Sequence, residues 1–118
     1  MTIVNLESSP PFTTADGSTI RSLLDHSNAP VQKQSLAEAS LPAGSATQRH
    51  YHAQSEEFYF ITSGAGRMEI DGEERTVGRG DAILIPAGAW HQLSAGAEGV
   101  RLLCCCAPPY SDEDTFFE

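Results

Sequence analysis

The sequence predicts an all-β domain, a β-sandwich or barrel of short antiparallel strands. Short runs rich in aromatic and β-branched residues recur between closely spaced turn signals. Residues 44–107 contain no apolar stripe of helical period. Nine of the ten glycines lie at or after residue 44, where the turns crowd together.

The elements follow in order. Residues 1–16, with Pro10-Pro11, read as an N-terminal arm with no core of its own, free to pair with a sheet or a partner. After Gly17, residues 18–24 form a short strand, and His26-Ser27-Asn28-Ala29-Pro30 is a turn. Residues 31–39 contain Ala and Glu, which favour a helix, but the flanking turns and the strands beyond favour extended chain. From Pro42-Ala43-Gly44 onward the strands are Phe58-Tyr59-Phe60-Ile61, Met68-Glu69-Ile70, Ile83-Leu84-Ile85 and Val100-Arg101-Leu102-Leu103. Asp71-Gly72 marks a hairpin between Met68-Glu69-Ile70 and Arg75-Thr76-Val77. The body of the fold therefore spans 17–107, and 108–118 is an acidic tail read as a solvated end, although Tyr110, Phe116 and Phe117 need something to pack against.

Composition narrows the function classes. Seven Lys plus Arg against 16 Asp plus Glu give a net charge of −9 in 118 residues, the length of one domain. So acidic a chain is a poor partner for nucleic acid or an anionic membrane. No apolar run approaches a bilayer span, and Met1 to Phe12 lacks the basic start and apolar stretch of a signal peptide, so the expected compartment is the cytoplasm. Cys104, Cys105 and Cys106 are consecutive and odd in number, which excludes a disulfide framework. On a strand they alternate faces and act as small hydrophobes, although one thiol could still touch a ligand near a pocket.

The chemistry sits in the histidines. His50 and His52 are two apart, so on a strand both imidazoles leave one face, about 7 Å apart at the backbone. Ala53-Gln54-Ser55 suits a turn that would bring Glu56 or Glu57 back beside them, and His91 follows the Pro86-Ala87-Gly88 turn. Three imidazole nitrogens and a carboxylate suit Fe, Mn, Ni, Co or Zn and are too nitrogen-rich for Ca or Mg.

These spacings resemble the cupin superfamily. Its first motif, G-x5-H-x-H-x4-E-x6-G, is met by Gly44, His50, His52, Glu57 and Gly64. Its second, G-x5-P-x-G-x2-H-x3-N, is met by Gly80, Pro86, Gly88 and His91, with Ala95 standing where the motif has Asn. The resemblance implies a double-stranded antiparallel β-helix, a jelly-roll barrel over 17–107. It also implies one divalent transition metal held by His50, His52, Glu57 and His91. The spacing favours Glu57 over Glu56, which turns Tyr59 and Ile61 inward and Phe58 and Phe60 outward. The missing Asn is expected to weaken a turn and to leave the metal set intact.

With four protein ligands the ion keeps an open position. The resemblance then implies an enzyme acting on a small sugar, sugar acid or carbonyl/enol compound, as an isomerase, lyase, decarboxylase or dioxygenase. A non-catalytic, metal-dependent small-molecule binding module is the alternative, and a storage role is disfavoured. Gln48, Tyr59 and Trp90 are candidate substrate contacts, and His26 is expected on a surface loop. The arm, the Phe58/Phe60 face and the aromatic tail predict a homodimer.

Overall fold

The computed structural model describes residues 1–118. It is a curled antiparallel jelly-roll barrel, as expected. The strands are β1 (Phe12–Thr13), β2 (Thr19–Leu24), β3 (Ser35–Leu41), β4 (His50–His52), β5 (Glu56–Ile70), β6 (Glu73–Gly78), β7 (Ala82–Ile85), β8 (His91–Ala107) and β9 (Thr115–Phe117). Short 3₁₀ turns cover Leu6–Ser8 and Asp112–Asp114.

Two long strands hold the barrel together. Residues 56–64 of β5 pair with the C-terminal part of β8, which also pairs with β3, then β2 and β1 beyond it. Residues 66–70 of β5 pair with the start of β8, which also meets β4, then β9. β5 and β8 thus run through both walls, and β7 and β6 extend them from β5. The crossing needs a kink in each strand, and the register slips around Gly64. Gly64 has φ +77°, and a Cβ there would overlap the Gly99 carbonyl oxygen, so only glycine lets the two strands approach this closely.

The core lies between the walls. Ile61, Ile85, Leu93 and Leu102 are fully buried, each contributing about 1.5–3 kcal/mol by leaving water. On β5 the alternation is as expected: Glu57, Tyr59 and Ile61 are buried, while Phe58 and Phe60 are 53% and 45% exposed.

Two segments differ from the sequence reading. β3 begins at Ser35, because its ladder with β8 starts at the Ser35–Cys106 pair, and residues 31–34 remain in the preceding loop. The tail is not a solvated end. β9 pairs with β4, and the Glu118 amide donates to the Arg49 carbonyl. At the other end, β1 lies within the arm and pairs with β2.

Candidate metal centre

β4 places His50 and His52 inward and Tyr51 outward, and both imidazoles are buried. His91 opens β8 directly across from His50, so the ladder itself delivers the third imidazole. The turn leading to β5 is fixed by the tail: the Gln54 and Ser55 amides donate to the Asp114 carboxylate. Glu57 then points inward, and the Glu56 side chain faces solvent.

The outer ring nitrogens are all engaged. His50 Nδ1 donates to the Gln48 carbonyl at 2.7 Å and His91 Nδ1 to the Ala89 carbonyl at 3.0 Å. Thr115 Oγ1 lies 3.2 Å from His52 Nδ1 and donates its own proton to the Ser111 carbonyl, so it accepts from the ring. These partners place the hydrogen of each neutral ring on Nδ1 and leave an Nε2 lone pair facing inward. The ligating nitrogens of the three rings lie within 4.8 Å of one another. Glu57 Oε1 is 3.3 Å from His52 Nε2 and 3.6 Å from His91 Nε2.

The arrangement fits a cation. Glu57 Oε1 and His91 Nε2 are buried and have no hydrogen-bond partner. Two lone pairs therefore face each other 3.6 Å apart, a costly arrangement for buried atoms. Burial, together with the neighbouring His50, pushes the His91 imidazole down to about 4. Burial also lowers His52, but the Glu57 carboxylate beside it outweighs that and leaves it raised. The other Glu57 oxygen accepts from the Cys106 thiol at 3.3 Å, its cross-strand neighbour on β8.

His50, His52 and Glu57 form part of the wall of a cavity of about 620 Å³, and His91 is off that wall. Tyr59, Leu93 and Leu102 line it further in, and Tyr110 from the tail stands 5.9 Å from His52 ring to ring. Burial, reinforced by Glu57, pushes Tyr59 well above the ordinary phenol range, so it stays a neutral donor. Burial likewise raises the Cys104 and Cys106 thiols, and both side chains face the cavity. Cys105 points to the other face, beside Gln34. Burial raises Asp25, but hydrogen bonds from Ser27 and Ser22 prevail and hold it below the usual carboxylate range.

Among the candidate substrate contacts, Tyr59 is on the cavity wall. Gln48 is exposed and off the wall, and its amide donates to the Asp16 carbonyl. Trp90 is also off the wall, half-buried edge-on to Tyr51 and beneath the Arg49 guanidinium. His26 is exposed in its loop, as expected, and reaches the cavity. Sequence reasoning did not find Asp16, Asp25, Tyr110 and Asp112 on this wall. The signal for Tyr110 was an aromatic beside the Pro108-Pro109 pair at the head of an acidic tail.

A β-barrel that gathers three inward imidazoles and a partnerless carboxylate beside one cavity belongs to the class of small barrels built around a candidate metal site. A family model described as a cupin domain matches residues 37–106, and the chain belongs to the cupin family. The Methanocaldococcus jannaschii protein MJ1618 is 47% identical over 106 residues, covering 89% of this chain and 85% of that protein. Among solved structures, the Streptomyces nucleoside dehydratase Pac13 superposes with a TM-score of 0.81 at 18% identity, covering 100% of this chain and 91% of that one. The polyketide cyclase RemF of Streptomyces resistomycificus superposes with a TM-score of 0.80 at 23% identity, covering 97% and 89%. No helix is long and apolar enough to cross a membrane.

Proposed function

We propose that the protein is a metal-dependent cupin enzyme acting on a small sugar, sugar acid or carbonyl/enol compound in the cavity beside His50, His52, Glu57 and His91. The observation that carries the reading is the buried Glu57 Oε1 facing His91 Nε2 with no proton donor between them. A divalent ion held there by the three Nε2 atoms and Oε1 would supply Lewis acidity to a substrate oxygen. The chain's own residues do the rest. The outer-nitrogen bonds to Gln48, Ala89 and Thr115 fix the rings in place. The Tyr59 hydroxyl keeps its proton and donates to a substrate oxygen, and Leu93 and Leu102 exclude water from that face. Proton-transfer chemistry of the lyase or isomerase kind suits such a wall. Pac13 and RemF, a dehydratase and a cyclase, support an enzymatic reading.

The protein is further read as a homodimer joined through the exposed face where Phe58 pairs in register with Leu84.

Metal analysis of protein purified without added metal tests the central claim, followed by titration with Mn, Fe, Ni and Zn salts. About one ion per chain is expected, lost in Glu57→Gln and His91→Gln. Metal-free protein that takes up none of these ions would end the proposal. Oxygen-uptake assays and ultraviolet assays of double-bond formation on candidate substrates then separate oxidative from non-oxidative chemistry.

A further inference from the structure

The cavity wall contains no lysine or arginine. All seven basic residues of the chain are placed elsewhere. Arg49, Arg67, Arg75 and Arg101 bridge glutamates outside the cavity. Arg21 donates to the Leu6 carbonyl, and Lys33 and Arg79 lie off the wall. The wall instead carries the carboxylates Asp16, Asp25 and Asp112 in addition to Glu57. Each of the three is fixed by a local donor: Asp16 by Ser18, Asp25 by Ser27 and Asp112 by the Tyr110 hydroxyl. The His26 imidazole and a series of hydroxyls, those of Ser18, Ser22 and Thr47 among them, make up much of the remaining polar wall.

The charge balance follows directly. A divalent ion with three neutral imidazoles and one carboxylate has a net charge of about +1. Three further carboxylates face the same space, so the cavity as a whole is negative even when loaded. A substrate carboxylate or phosphate seated away from the ion would meet like charge, with no lysine or arginine to pair with it and His26 the one ionisable nitrogen on that part of the wall. A hydroxyl-bearing group would find donors and acceptors throughout.

We infer that the compound bound in this cavity is an electrically neutral, polyhydroxylated carbonyl or enol, not an organic acid or a phosphate ester. This inference rests on the metal-dependent reading and narrows it, setting aside sugar acids.

A matched pair of metal-binding probes tests it. Kojic acid is a hydroxypyranone ending in a hydroxymethyl group. Comenic acid has the same chelating end, with a carboxylate in place of that group, and so always carries one more negative charge. Both are titrated calorimetrically into Mn²⁺-loaded protein at low ionic strength, after the Mn²⁺ titration itself. The double variant Asp25→Asn/Asp112→Asn should tighten comenate on the order of tenfold and leave kojic acid within about twofold. Added salt should shrink the difference in the wild type. Ser22→Lys places a cation in the wall by an independent route and should favour comenate in the same way. The inference is overturned if comenate binds the wild type more tightly than kojic acid, or if neither substitution changes the ratio of the two. Absence of Mn²⁺ binding would instead remove the metal-dependent reading itself, and this inference with it.

Discussion

Acidification of the metal-free protein tests the buried imidazoles directly. His91 is fully buried, and its imidazole lies at about 4 in the fold against 6.5 when free. The fold therefore favours the neutral ring. Its contribution to stability is fully present above about pH 6.5 and is lost as the pH falls from there toward about 4. A depression of about 2.5 corresponds to about 3 kcal/mol, most of it expressed by pH 4.5. His52 works in the opposite sense. Its raised value stabilises the fold below about 6.5, and that contribution fades as the pH rises through the folded value. His91→Gln keeps His52 and removes the depressed titration, so the difference between the two proteins reports on His91 together with its coupling to His50, His52 and Glu57. Urea unfolding with EDTA, followed by fluorescence of the single tryptophan Trp90, provides the assay. On going from pH 7.5 to pH 4.5 the wild-type midpoint should fall by roughly 1 M more than that of the variant. Midpoints that move in parallel would refute the claim that a neutral His91 is built into the fold.

Two further perturbations bear on the same architecture. Cys106→Ala removes the thiol that donates to Glu57 Oε2 and should weaken Mn²⁺ binding about 10–100-fold by calorimetry, while Cys106→Ser retains most of it. Equal affinity in the alanine variant would reduce Cys106 to a packing residue. Phe58→Glu with Leu84→Glu replaces two paired side chains that are each 53% exposed in the single chain, so the circular dichroism of the folded barrel should be retained. The sedimentation coefficient should nevertheless drop from dimer to monomer, and a wild type that sediments as a monomer at micromolar concentration would end the homodimer reading.

The site was more legible than its surroundings, and the reason is physical. Ligand spacing along a strand is a local property. His50 and His52 must share a face wherever the strand lies, and one residue of shift separates Glu57 from Glu56. The face on which Phe58 and Phe60 lie followed from the same alternation. The cavity wall is different, because it is assembled from segments far apart in the chain. Asp16 and Asp25 come from the loops around β2, and Asp112 from the turn before β9. Nothing local marks them as neighbours. The tail was misread for a related reason. Its acidic composition suggests solvent, yet Asp114 accepts the Gln54 and Ser55 amides, and Thr115 accepts from His52. Trp90 shows the converse. An aromatic beside a candidate ligand suggests a pocket, but alternation along the chain turns it outward from the buried His91.

The one departure from the family motif is resolved in the same terms. Ala95 has no side-chain amide to offer where the motif has Asn, and the sequence suggested a weakened turn. The backbone closes that region instead. The Ala95 amide donates to the Ser45 carbonyl at 2.7 Å, and the Gly44 amide donates to the Gly96 carbonyl. The Thr47 hydroxyl accepts from the Leu93 amide at 3.0 Å, and the Gln92 side chain donates to the Thr47 carbonyl. These bonds tie the segment before β4 to the start of β8, the two stretches that carry His50 and His91. A lost side-chain contact at residue 95 is therefore compensated where it matters, in the relative placement of two imidazoles. The candidate ligand set is held by the ladder between β4 and β8 and by the Gln48 and Ala89 carbonyls and the Thr115 hydroxyl behind the rings, so it does not depend on the residue the motif would have placed at 95.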